Sequence, residues 1–192
     1  MRLAPLPSQA SWRHAGLRDG FEVVWPVSIG SVHRLRGATT GVEDGAGWTV
    51  SYDVELGADW CTRTAVVRAS GRDGSGEVLL ERDEDDRWSI DGLYQPELDG
   101  VADVDLESSA VTNTLPLHRL HLERGSAMRV DSAFVGLDLR VQRIVQTYEL
   151  VEHTDERITV AYTSATFDVA CTVTFDGSGL VTDYPDIAVR HA

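Results

Sequence analysis

The stretch Asp91–Leu122, DGLYQPELDGVADVDLESSAVTNTLPLHRLHL, breaks the strand rhythm of this chain and says how its sheet is filled. It opens on a turn cluster around Asp91 and Gly92. Asp99, Asp103 and Asp105 follow, then small polar residues, then a Leu-rich segment. Ser108, Ser109, Thr112 and Thr114 are all N-cap types, because their short side-chain oxygens accept from the free backbone N–H groups that begin a helix. Pro116 is tolerated in a first turn. Leu117 and Leu120 share one face, with Leu115 and Leu122 nearby, so that face is apolar. Arg119 suits a helix C-terminus, and Gly125 a stop. One short helix is expected near residues 109–121.

Around this passage the chain reads as strand. In Gly47–Leu56 (GWTVSYDVEL), Trp48, Val50, Tyr52, Val54 and Leu56 alternate with polar residues, the period of a half-buried strand. Phe21–Trp25, Cys61–Ser70 and Gly76–Glu81 are similarly rich in β-branched and aromatic residues. Farther on, Leu137, Leu139 and Val141 alternate with Asp138, Arg140 and Gln142. Val145–Val151, Arg157–Thr163, Thr166–Phe175 and Leu180–Tyr184 continue the series. Turn chemistry separates the runs, as in Asp176-Gly177-Ser178-Gly179, where Gly supplies the positive φ of a hairpin turn. About twelve or more strands fit, most of them antiparallel. The fold expected is mainly β, one large antiparallel sheet around one short helix. The length of 192 residues fits a single domain over 1–192, with 1–15 as a loosely held terminus.

Composition narrows the partners. The chain carries 17 basic residues, all Arg, against 31 acidic ones, a net charge of −14. Binding nucleic acid requires clustered cations to displace counterions, and here Arg is scattered. An anionic membrane surface repels such a chain at long range. No run approaches the ~18 apolar residues of a membrane helix, and the first residues lack a signal-peptide core. The expected location is therefore the cytoplasm, where Cys61 and Cys171 stay thiols.

Several strings, in order, resemble one family. They are Pro96-Glu97-Leu98-Asp99-Gly100, Asp103-Val104-Asp105-Leu106, Thr112-Asn113-Thr114-Leu115-Pro116-Leu117 with Arg119-Leu120, and Asp183-Tyr184-Pro185. Together they resemble the Putative glycolipid-binding family over residues 48–186. The resemblance implies a spiral β-roll around a single central helix, a homodimer, and binding of a lipid or glycolipid without catalysis. It carries no catalytic residues. The family's glycolipid label is itself an analogy of fold with lipid carriers.

The residues themselves support few chemistries. Asp99, Asp103 and Asp105 lack the order of a Ca²⁺ loop. They read as a turn and the outward face of a strand. His118 and His121 have no further zinc ligands at metal spacing. No GxSxG, phosphate loop or dinucleotide fingerprint occurs, and acid pairs among 31 acids are uninformative. No metal, cofactor or catalytic residue is expected. A binding site would draw on Trp88 and Tyr94 as stacking platforms. Asp91, Asn113 and Arg119 would bond hydroxyls, and Tyr184 would stand at the C-terminal edge of the pocket. The competing reading packs Trp88 and Tyr94 over the helix and uses Asn113 as its cap. Two other functions stay open: a solid β-roll acting through a dimer surface, and a hydrolase without a recognised motif.

Overall fold

The computed structural model describes residues 3–192. Fifteen strands form one sheet. They are β1 (Ala10–His14), β2 (Asp19–Ile29), β3 (Val32–Glu43), β4 (Ala46–Leu56), β5 (Thr62–Gly71), β6 (Gly74–Arg82), β7 (Trp88–Ile90), β8 (Leu93–Tyr94), β9 (Asp103–Leu106), β10 (Ala127–Val135), β11 (Val141–His153), β12 (Arg157–Ser164), β13 (Val169–Asp176), β14 (Val181–Tyr184) and β15 (Ala188–Arg190). β1 to β8 make one meander and β9 to β15 another, joined where β1 pairs with β15. Neighbours are antiparallel except β9 and β10. Residues 10–14, within the stretch expected to be a loose terminus, are thus the seam between the two halves. The Trp12 indole N–H fixes that seam by donating to Val181 O at 2.8 Å.

The sheet ends at β8 and β9, which do not pair. Instead Thr62 N donates to Ala102 O at 2.9 Å, and Val104 N to Thr62 Oγ1 at 3.0 Å. One end therefore meets the start of β5, three strands in from the other end, and the sheet overlaps itself as a spiral. Register shifts in β4, β11 and β13 supply local bending.

The alternation read in β4 is realised: Val50, Tyr52, Val54 and Leu56 are buried. Gly37 faces Tyr52 across the β3–β4 pair, and a Cβ there would lie 2.2 Å from the Tyr52 ring. Only glycine lets that phenol cross β3 and donate to Glu22 Oε1 at 2.7 Å.

The interior holds a 3-10 turn, Val111–Asn113, running into α1 (Thr114–Arg119). Leu115 and Leu117 are 0% and 2% exposed, so the apolar face is core. Pro116 sits in the first turn. The helix stops at Leu120, whose backbone turns extended, before Gly125 is reached.

Two strand assignments change. Leu137 to Arg140 is a tight turn, with Leu139 at φ 63° and Gly136 N bonded to Arg140 O. Asp138 Oδ1 accepts from Arg140 N and stabilises it. Five alternating residues match a turn with two inward leucines as well as a strand. The acids of β9 are also not outward. Asp103 is 1% exposed, because it points into the roll, where Arg119 of the helix meets it.

Candidate functional site

The interior is unusually acidic, and each acid is tied to the helix segment. Glu22 of β2 accepts from Tyr52 Oη, from Ala110 N at 2.9 Å and from Ser109 Oγ. Asp103 takes a two-point contact from Arg119, Nε to Oδ1 at 3.1 Å and Nη2 to Oδ2 at 2.5 Å. Asp105 accepts from Thr112 Oγ1 at 2.7 Å and from Gln146 Nε2 at 2.8 Å. Burial raises the pKa of all three above the ordinary carboxylate value, and the hydrogen bonds pull it back. These contacts hold a six-residue helix that could not persist alone.

Asp105 differs from the other two in keeping some exposed surface, and that surface faces a cavity of about 1100 Å³. The cavity lies at one mouth of the roll, where β10, β12 and β14 end and β11 and β13 begin. Its floor is polar: Asp105, Ser109, Asn113, Tyr162, Ser164 and Tyr184. Its rim is mixed: the apolar side chains of Leu17, Phe134, Leu137, Phe167, Val169 and Ile187 stand among the charged Asp138, Arg140, Asp168 and Asp186. Phe134 and Phe167 pack together there, centroids 4.8 Å apart. Tyr148, Tyr162 and Tyr184 form an edge-to-face chain behind the floor, at 5.3 and 5.7 Å. Burial pushes Tyr162 up to about 12 and Tyr184 higher still, so both phenols are neutral donors. The Asn113 side chain does not cap the helix. Its Oδ1 accepts from Tyr148 Oη at 2.9 Å, leaving the amide N–H₂ to donate.

The expected site residues separate. Asn113 and Tyr184 line this cavity. Arg119 does not; its guanidinium is committed to Asp103. Trp88 is fully buried, its indole N–H on Val101 O at 2.9 Å, so neither ring face can stack on a sugar. Asp91 adopts φ 50° and accepts from Leu79 N, a turn role. Tyr94 is exposed and donates to Asp99 Oδ2. Trp88 and Tyr94 border a separate, polar hollow of about 750 Å³ beside Arg63 and Arg87. Asp105, Tyr162, Ser164, Phe134 and Phe167 were not legible as site residues. In the sequence they are ordinary members of alternating strands and a turn, and only their common end of the roll brings them together.

The opposite mouth is plugged. His33, Trp60 and His118 stack face to face, at 4.2 and 3.7 Å. His118 Nε2 donates to Ser178 O at 2.9 Å. Burial lowers the His118 pKa from 6.5 to about 4. The fold therefore keeps this ring neutral, while the unfolded chain takes up a proton below about pH 6.5. Stability from this group is present above pH 6.5 and is lost as pH falls towards 4, up to roughly 3 kcal/mol. NMR titration should find the His118 imidazole neutral at pH 5.5. His118→Phe, which keeps the stack, should flatten the loss of stability in acid.

Among the described residues no cluster of His, Cys, Asp and Glu has metal-ligand geometry, and no helix is long and apolar enough to cross a membrane. Fold and cavity together define a spiral β-roll open at one mouth. The family profile described as Putative glycolipid-binding matches residues 9–190, and the chain belongs to that family. A DUF1089-family protein of Pseudomonas aeruginosa has a similar structure, with TM-score 0.73 and 24% identity, over 100% of this chain and 97% of that one. A β-barrel-like protein of the DUF1849 domain from Brucella abortus is more distant, with TM-score 0.53 and 10% identity, over 99% and 95%. At these identities both likenesses concern the fold alone. No curated protein matches the chain.

Proposed function

We propose that this protein binds, without catalysis, one amphipathic molecule of lipid or glycolipid type in the mouth of its roll. The observation that carries this reading is the cavity of about 1100 Å³ with a polar floor and a cluster of apolar side chains at its rim. That size and mixture of surfaces are what a ligand site requires. The family's description supports the same ligand class. A solid roll without a cavity is disfavoured by the same volume. A soluble carrier working in the cytoplasm fits the free thiols Cys61 and Cys171.

Native mass spectrometry of protein purified from its own host should show an added lipid-sized mass. A lipid panel should raise the melting temperature. Phe167→Ala at the rim should weaken binding about tenfold, the loss expected for one aromatic contact. No added mass and no thermal shift with any lipid would sink the reading.

A second copy is the partner we propose for the outer face of β2. Phe21, Trp25, Val27 and Ile29 alternate there, 50%, 46%, 44% and 75% exposed. Arg34 and Arg36 of β3 flank this row, opposite Val27 and Trp25. Both are paired with Asp53, so the strip beside the apolar row adds no like-charge repulsion where two acidic chains would meet. Analytical ultracentrifugation should show a dimer that Trp25→Glu converts to monomer with the fold intact. A wild-type monomer at high micromolar concentration would refute it.

A further inference from the structure

Resting on the binding reading above, we infer that the ligand enters head first, and that its head is uncharged and hydroxylated rather than anionic. Two independent observations carry this: the order of surfaces down the cavity, and its charge.

The apolar lining gathers at the rim, among exposed charged side chains, and the floor is polar throughout. At the rim, Leu17, Phe167 and Val169 are 75%, 44% and 39% exposed. On the floor, Asn113, Tyr162, Ser164 and Tyr184 are 4%, 4%, 1% and 9% exposed. An alkyl chain placed deep would leave the Asn113 amide N–H₂ and the Ser164 hydroxyl buried without partners. A head placed deep would satisfy them, while the chain lies against Phe134 and Phe167. The Ser164 hydroxyl is buried and lacks a partner of normal hydrogen-bond geometry. With the free amide of Asn113 it gives the floor both a donor and an acceptor. Sugar and polyol hydroxyls need both.

The charge excludes the alternative head. Asp105, Glu107, Asp138, Asp168 and Asp186 border the cavity, against Arg18 and Arg140. Neither arginine is free. Arg18 lies 3.9 Å from both Glu43 and Glu107 and donates to Glu107 O. Arg140 lies 3.4 Å from Asp138. Phosphate and carboxylate heads are acceptors that need an unengaged cation or a set of free N–H donors. This cavity offers a head the reverse, a net negative lining with no arginine among its floor residues.

The test compares octyl β-glucoside with octyl phosphate, both below micelle formation, by titration calorimetry at pH 7.5 on the full chain. The glucoside should bind at least tenfold more tightly. Ser164→Ala, which removes only the hydroxyl, should weaken the glucoside several-fold and leave the melting temperature near wild type. Orientation is read separately, with an octyl glucoside carrying a nitroxide at the chain end. Amide signals of Phe167 and Val169 should broaden more strongly than that of Asn113. Phosphate binding as tightly as glucoside, or broadening strongest at Asn113, overturns the inference and leaves amphiphile binding standing. Binding of neither probe overturns both.

Discussion

Arg119→Ala is expected to cost about 3–5 kcal/mol, enough to leave most of the protein unfolded if its stability is ordinary for a domain. The reason is what remains behind. Asp103 is 1% exposed, and both its oxygens are bonded by Arg119. Removing the guanidinium strands a carboxylate inside the roll, beside Val104 and Leu106. Replacing both partners, Asp103→Leu with Arg119→Leu, removes the charge together with its counter-ion and should recover most of the loss. The variant should also depend on pH in a particular direction. Burial already raises the Asp103 pKa. Without Arg119 it rises further, and a carboxyl whose folded pKa exceeds its unfolded value favours the fold at low pH and loses that advantage as pH rises. The gap between variant and wild type should therefore narrow towards pH 4. Urea denaturation at pH 7 and pH 4.5 measures both effects. A double mutant no more stable than Arg119→Ala would mean that the pair is needed for something other than charge neutralisation.

Leu117→Asp should be as damaging, for a different reason. Leu117 is 2% exposed on the face α1 turns to the core. The substitution removes an apolar contact and buries an unpaired charge, an expected loss of about 4 kcal/mol or more. Leu120→Asp is the internal control. Leu120 is only partly buried, where the backbone leaves the helix, and its charge can reach water. A loss of about 1–2 kcal/mol is expected there. Thermal melts of the two variants should thus differ widely. Near-wild-type stability in Leu117→Asp would refute the role of α1 as the filler of the roll.

Most of the sheet was legible in the sequence because its strands are covered on one face and wet on the other. Val50, Tyr52, Val54 and Leu56 show that alternation, and the sheet honours it. The helix was legible because Thr114, Pro116 and Leu117 carry local information about a first turn and an apolar face. The failures have one physical source. Leu137 and Leu139 point inward from a turn, and Asp103 points into the roll to meet Arg119, so a rule of two-residue alternation misassigns both. Trp88 and Arg119 were read as ligand contacts because aromatic and cationic residues near a turn often are. The first is spent on Val101 O and the second on Asp103.

Local chemistry alone thus determined the class of the fold and the place of its helix. It also carried the family strings, of which Asn113 and Tyr184 lead into the cavity. The closure of the roll was decided elsewhere, by pairings such as β1 with β15 and Thr62 with Val104 that join residues 42 or more apart. The cavity depends on that closure. Its lining comes from the β1–β2 turn, β9, the helix segment, the strands β10 to β14 with their turns, and the loop before β15, segments with no common local pattern. What they share is one end of a spiral sheet, and that end exists only once the long-range pairings have formed.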